Sequence, residues 1–269
     1  MKKSLMLIVI FNITLLFISG CAKKLQNEYG VFLGINDDEI KKLNDYKQVV
    51  IEPQEFSKES IDKLHNEEKK IYGYLNVGAL EEYRTYFDRF KSLSLGVYED
   101  WPDERWIDVS SKTWQDFIVN ELASEYNNMG FDGLFLDNLD VYYFFETDDI
   151  FNGLCLILES LKEFDLKLII NGGDTFVSRC IEKDIALNLF DGVNQETVFT
   201  MIDFESKTYE KQLIEETTYF KKYLKSVKDY GLEVYLLEYH ASNSLSKEIN
   251  SYCKENGFTW YNANNLELN

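Results

Sequence analysis

Proline, histidine and basic residues are all scarce in this chain. Two prolines and fourteen glycines among 269 residues leave no Pro-, Gly- or Ser-rich linker, so nothing marks a seam between domains. The two histidines, His65 and His240, stand far apart, and no Cys/His spacing suggests zinc. Neither a metal nor a cofactor is therefore expected. Lys and Arg number 28 against 47 Asp and Glu, a formal charge of −19. A surface of that sign repels nucleic acid and anionic polymers and favours a cationic partner, although a solubilising coat is the plainer role for most of these charges. No Gly-rich phosphate loop follows the first β-rich run, which argues against a doubly wound open sheet.

Long apolar runs are missing as well. The longest, from Leu5 to Ile18, falls short of the roughly 20 residues that a membrane-spanning helix needs. It follows Lys2 and Lys3 and precedes Ser19 and Gly20, so residues 1–20 are expected to be a signal peptide. The sequence Ile18-Ser19-Gly20-Cys21 resembles a bacterial lipobox, with Cys21 as the lipidated first residue of the mature chain. The alternative is an ordinary cleaved signal that happens to end beside a cysteine. Each buried methylene of an acyl chain contributes about 0.8 kcal/mol, so an acylated Cys21 would hold the protein on the extracytoplasmic face of the cell membrane. Residues 21–28 are then a short tether, and 29–269 the folded domain. Cys155, Cys180 and Cys253 are an odd number in apolar helical surroundings and read as small buried hydrophobes, with one possible pair at most.

Hydrophobic residues make up 45% of the chain and aromatics 15%, enough for a large core. Eight continuous, β-branched apolar runs recur: Tyr29–Ile35, Gln48–Pro53, Lys70–Gly78, Gly133–Leu139, Leu166–Gly172, Gly192–Phe199, Glu233–Tyr239 and Thr259–Asn264. Such runs suit parallel strands covered by helices. Stripes at helical period lie between them, for example Trp114, Phe117, Ile118 and Leu122, or Leu213, Phe220, Leu224 and Val227. Gly130, Gly231 and Gly257 fall where left-handed C-caps are wanted, and Thr147 is placed to cap the helix after it. Eight β/α repeats without interruption predict an α/β fold, a single-domain (β/α)8 TIM barrel.

Active sites of such barrels form at the C-terminal strand ends. Here those ends carry acids or amides almost without exception: Glu52, Asn76, Asp137-Asn138, Asn171, Gln195-Glu196, Glu238-Tyr239 and Asn262. In "GFDGLFLDNLDVYY" (130–143), Asp132 precedes its strand and should act structurally at the barrel's bottom. Asp137 lies at the top, and Asp140 just beyond could line the cleft or cap the loop. Two carboxylates facing each other over a cleft are what glycoside hydrolysis requires, one to protonate the leaving oxygen and the other to attack the anomeric carbon or activate water. Asp137 and Glu196 are the natural pair, on the fourth and sixth strand ends. Tyr74, Trp101, Trp106, Tyr142, Tyr143, Tyr239 and Trp260 supply aromatic faces on which a sugar chain could stack.

The blocks "YGYLNVGALEEYR" (72–84), "DWPDERWIDVSSKTW" (100–114), "GFDGLFLDNLDVYY" and "DGVNQETVF" (191–199) resemble glycoside hydrolase family 114 over about residues 29–264. The resemblance implies a TIM barrel and an endo-α-1,4-polygalactosaminidase-like activity. Its catalytic aspartate and glutamate fall on Asp137 and Glu196. Substrate contacts are expected from Tyr74, Asn138, Asp140, Asn171, Glu238, Tyr239, Trp106 and Arg84, with an ion pair between Glu81 and Arg84 as the structural alternative for the latter. Two departures stand out: Glu238 replaces a common aspartate, and "NQE" is one residue longer than the usual "NE". The expected function is a secreted, membrane-anchored endo-glycosidase acting on an α-linked amino-sugar polysaccharide. Its partners would be that polysaccharide and the membrane, without an obligate protein partner. A non-catalytic carbohydrate-binding lipoprotein on the same barrel is the main rival. A solute-binding lipoprotein would normally show two lobes, and no such division is visible.

Overall fold

A computed structural model describes residues 27–99 and 101–269; the expected signal peptide, Cys21 and residues 22–26 of the expected tether lie outside them. Eight strands run parallel in chain order: β1 (Asn27–Phe32), β2 (Tyr46–Ile51), β3 (Lys70–Asn76), β4 (Gly133–Asp137), β5 (Lys167–Asn171), β6 (Gly192–Glu196), β7 (Glu233–Tyr239) and β8 (Thr259–Ala263). β1 lies beside β8, and Gly34 N–H donates to the Leu268 carbonyl at 3.2 Å, so the sheet is a nearly closed barrel. The expected (β/α)8 architecture is present. Among the described residues no helix is long and apolar enough to cross a membrane.

Alternation along the strands builds two cores. Tyr29, Val31, Val50, Tyr72, Tyr74, Phe135, Ile169, Tyr235 and Tyr239 fill the barrel's interior. The opposite strand faces pack against the helices, where Leu134, Leu136, Leu168, Ile170 and Leu236 meet Trp114, Leu154, Phe176 and Leu224. Thr147 Oγ1 accepts from Ile150 N–H at 3.3 Å and starts the helix Asp148–Lys162. The stripe on Ile214–Tyr230 is narrower than the sequence suggests: Leu213 is the N-cap residue and 57% exposed, so Phe220, Leu224 and Val227 carry the contact. The three cysteines in the described residues are free.

Strand ends differ from the apolar runs for identifiable reasons. Glu52 caps the turn Pro53–Glu55 through Gln54 N–H, and Pro53, which has no N–H to give a ladder, stands outside β2. The residues directly after β4, β5, β6 and β7 all have positive φ: Asn138 (64°), Gly172 (67°), Thr197 (54°) and His240 (51°). Each breaks its strand abruptly and leaves the last strand residue at the mouth of the barrel. Three of the four are not glycine, and left-handed backbone costs such residues about 1–2 kcal/mol each.

Two insertions extend the barrel's top. After β3 the chain forms a three-stranded antiparallel sheet from Ala79–Glu81, Ser94–Val97 and a central Glu104–Ile107. After β6 comes the hairpin Thr200–Asp203 and Thr208–Lys211. Trp101 and Phe204, one from each insertion, meet edge to face with ring centres 5.7 Å apart.

Candidate active site

The top of the barrel holds a cleft of about 1170 Å³, bounded by the strand ends and both insertions. At its floor stand four consecutive strand-terminal residues: Asp137, Asn171, Glu196 and Tyr239. Asn171 Nδ2 donates to Asp137 Oδ1 at 2.8 Å and to Glu196 Oε1 at 2.7 Å. One nitrogen thus bridges both carboxyl groups, which places those two oxygens no more than about 5.5 Å apart. The outer oxygens each receive a phenol. Tyr74 OH donates to Asp137 Oδ2 at 2.8 Å, and Tyr239 OH to Glu196 Oε2 at 2.6 Å.

Burial governs the electrostatics. Removal from water raises the pKa of Asp137, partly offset by the donors Asn171 and Tyr74. Glu196 is raised by burial and then by the adjacent Asp137 charge, against the opposing donors Tyr239 and Asn171. Burial also holds the Tyr74 and Tyr239 hydroxyls far above the usual phenol range, so both remain protonated. A hydroxyl hydrogen can rotate away and let the oxygen accept, whereas the amide N–H groups of Asn171 only donate. A proton arriving on either carboxyl group is therefore accommodated on the oxygen facing a tyrosine.

The other sequence-predicted residues divide. Asn138 lines the cleft and donates to Asn76 Oδ1 at 3.1 Å. Asp140 also lines it, accepts from Gly173 N–H at 3.1 Å, and is pushed up to about 7 by burial and by Asp137. Arg84 reaches the cleft but is occupied. Its guanidinium donates to Glu81 Oε2 at 2.7 Å, Glu81 Oε1 at 3.1 Å and Glu52 Oε2 at 2.8 Å, a buried ionic triad.

Two residues do not face the cleft. Glu238 has no exposed surface and accepts from Phe199 N–H, Thr200 N–H and Thr200 Oγ1, pinning the loop after β6. Its neighbour Tyr239 points inward, so alternation turns Glu238 outward. Trp106 is buried beneath Tyr98, with ring centres 4.2 Å apart, and abuts Phe144. Tyr98 is the ring that lines the cleft. Of the other aromatics named from sequence, Tyr74, Trp101 and Tyr239 line it; Tyr142, Tyr143 and Trp260 do not. Asp132 sits at the barrel's bottom, accepting from Ile71 N–H at 2.8 Å and pairing with Lys70 and His65.

Glu104 was not foreseen. It enters the cleft from the central strand of the inserted sheet, and its Oε2 lies 3.4 Å from Asn76 Nδ2 and from Asn138 Nδ2. Burial, then Glu81 and Asp137, push its carboxyl up to about 8. The only signal in the sequence was its place inside the block at 100–114. Among the described residues no cluster of His, Cys, Asp and Glu is arranged to hold a metal ion.

A sequence profile described as glycoside-hydrolase family GH114 matches residues 23–267. A search of curated proteins finds no match. Among solved structures, a variant of the glycoside hydrolase domain of PelA from Pseudomonas aeruginosa superposes with a TM-score of 0.76 at 16% identity, over 90% of this chain and 95% of that one. Ega3 from Aspergillus fumigatus, in complex with galactosamine, gives 0.65 at 17% identity, over 91% and 94%. The α-galactosidase TtGalA from Thermus thermophilus gives 0.58 at 11% identity, with this chain covering 57% of its length. At such identities the likeness is one of fold.

Proposed function

Because the chain belongs to glycoside-hydrolase family GH114, we propose that it is an endo-glycosidase cleaving an α-linked, amino-bearing polysaccharide of the polygalactosamine type with Asp137 and Glu196. The observation that carries this reading is the shared Asn171 nitrogen between two buried carboxyl groups at adjoining strand ends. Their spacing supports retention of anomeric configuration, for which separations of about 5–5.5 Å are typical.

In that mechanism a carboxylate oxygen of Asp137 attacks the anomeric carbon as the glycosidic C–O bond breaks, and Glu196 gives its proton to the departing oxygen. Glu196 then takes a proton from water, whose oxygen displaces Asp137 and frees the sugar. Burial and the Asp137 charge favour the protonated Glu196 that the first step needs.

The substrate class follows from charge. Among the described residues eight that line the cleft are acidic, with Glu104 and Asp140 partly protonated near neutrality, and the one basic residue, Arg84, is neutralised by Glu52 and Glu81. A sugar polymer bearing ammonium groups complements such a surface. Ega3, a fold relative, is known in complex with galactosamine, which agrees with that choice. The leader and Cys21 support secretion and attachment to the extracytoplasmic membrane face.

Reducing-end release from a panel of polymers, beginning with partly deacetylated α-1,4-galactosaminan, tests the proposal. Wild type should release ends, while Asp137→Asn and Glu196→Gln should each lose on the order of a hundredfold or more. Binding without release by wild type, unchanged in both variants, would leave a carbohydrate-binding barrel instead.

A further inference from the structure

Asn194 lies two residues before Glu196 on β6, so strand alternation puts both side chains inside the barrel. It has no exposed surface. Its Nδ2 donates to Asn171 Oδ1 at 2.7 Å, and its Oδ1 accepts from Tyr29 OH at 3.2 Å. Tyr29 comes from β1 and is 1% exposed. A hydrogen-bonded line therefore crosses the barrel from Tyr29 through Asn194 to Asn171, and ends on Asp137 and Glu196.

The direction of every link is dictated by chemistry. Ionised carboxylates only accept, so the Asn171 nitrogen must face them and its oxygen must face Asn194. That oxygen needs a donor, which turns the Asn194 nitrogen toward it and the Asn194 oxygen toward Tyr29. The Tyr29 hydroxyl supplies the last hydrogen. Tyr74 and Tyr239, which touch the outer carboxyl oxygens, can rotate their hydrogens and impose no direction. With Asn171 reversed, its oxygen would sit between two carboxyl groups and disfavour charge on both.

We infer that Asn194, oriented by Tyr29, is a positioning residue that locks Asn171 with its nitrogen between Asp137 and Glu196. The inference rests on the reading of Asp137 and Glu196 as the catalytic pair. Asn194 and Glu196 share one face of β6 because a single residue, Gln195, separates them.

Asn194→Leu keeps the approximate shape and removes the donor without adding a charge, and Tyr29→Phe removes only the far hydroxyl. The other groups facing the pair, Tyr74, Tyr98, Glu81, Glu104, Asp140 and Tyr239, stay in place. Two measurements are made on the full chain. In the polymer assay, kcat of Asn194→Leu should fall about tenfold or more with KM little changed, and the acid limb of the rate profile should move to higher pH. Tyr29→Phe should do the same to a smaller extent, and it serves alone if Asn194→Leu does not fold. In a substrate-free titration followed by carboxyl 13C NMR, Asp137 and Glu196 should protonate at higher pH in both variants. Unmoved titrations, with kcat loss matched only by a lower Tm, would make Asn194 a packing residue and overturn the inference. Shifted titrations in a protein that cleaves no polymer would support the relay and defeat the glycosidase reading.

Discussion

Arg84 offers a sharp test of what the cleft's charges are for, because a residue of the type that grips substrates is bound up in structure instead. Its side chain is 5% exposed, and the partners Glu52 and Glu81 are 11% and 4% exposed. Burial opposes the guanidinium charge, but hydrogen bonds to Glu81 and Glu52 outweigh it and hold the group firmly protonated. Arg84→Met keeps most of the volume and strands two buried carboxylates. Breaking one partner out of such a network costs about 3–5 kcal/mol, mostly from the charges left behind. At about 2–4 °C per kcal/mol for a domain of this size, Tm should drop by about 6–20 °C.

Differential scanning calorimetry measures this directly, beside a triple variant in which Glu52→Gln and Glu81→Gln accompany Arg84→Met. The triple variant should recover most of the loss, since an uncharged network leaves no stranded ion. A Tm within about 2 °C of wild type in Arg84→Met, together with a raised KM, would refute the reasoning and make Arg84 a substrate contact.

Three further outcomes are expected. Burial raises Glu104 to about 8 and Asp140 and Glu238 to about 7, above their unfolded values, so these groups favour the fold when protonated. That contribution is complete at about pH 4 and is lost toward about pH 8, so Tm should decline from about pH 5 to 8; a Tm rising across that range contradicts the burial argument. Glu104→Gln replaces a carboxyl that is protonated below about pH 8, so it should leave the acid limb of activity in place and flatten the Tm decline above neutrality; an acid limb that moves to lower pH would mean that Glu104 is charged beside Asp137 and overturn the burial argument. Glu238→Ala orphans the buried donors Phe199 N–H, Thr200 N–H and Thr200 Oγ1, at a cost of about 2–4 kcal/mol in urea unfolding. A raised KM with unaltered stability would instead return Glu238 to the substrate.

Which of these features could be read from sequence depends on whether a strand's alternation was respected. The barrel strands were legible because both their faces are buried, and only continuous apolar runs satisfy that. Asp137 and Glu196 were legible because a carboxylate ending such a run has few structural uses. Adjacent residues of one strand cannot both face inward, however. Reading Glu238 and Tyr239 alike as substrate contacts ignored that period, and the structure turns Glu238 away into the loop after β6. The inserted sheet was harder to see. Its strands are three or four residues long and lack a regular apolar pattern, so Glu104 could not be placed at a strand end and Trp106 looked like a free platform. Asn194 was harder still. An amide inside an apolar strand is costly unless every polar atom is met, and its partners come from β1 and β5, distant in sequence. A buried amide two residues before a strand-end carboxylate is thus a cue that becomes readable only once parity is applied: it shares the carboxylate's face, and must be satisfied by what lies behind the site.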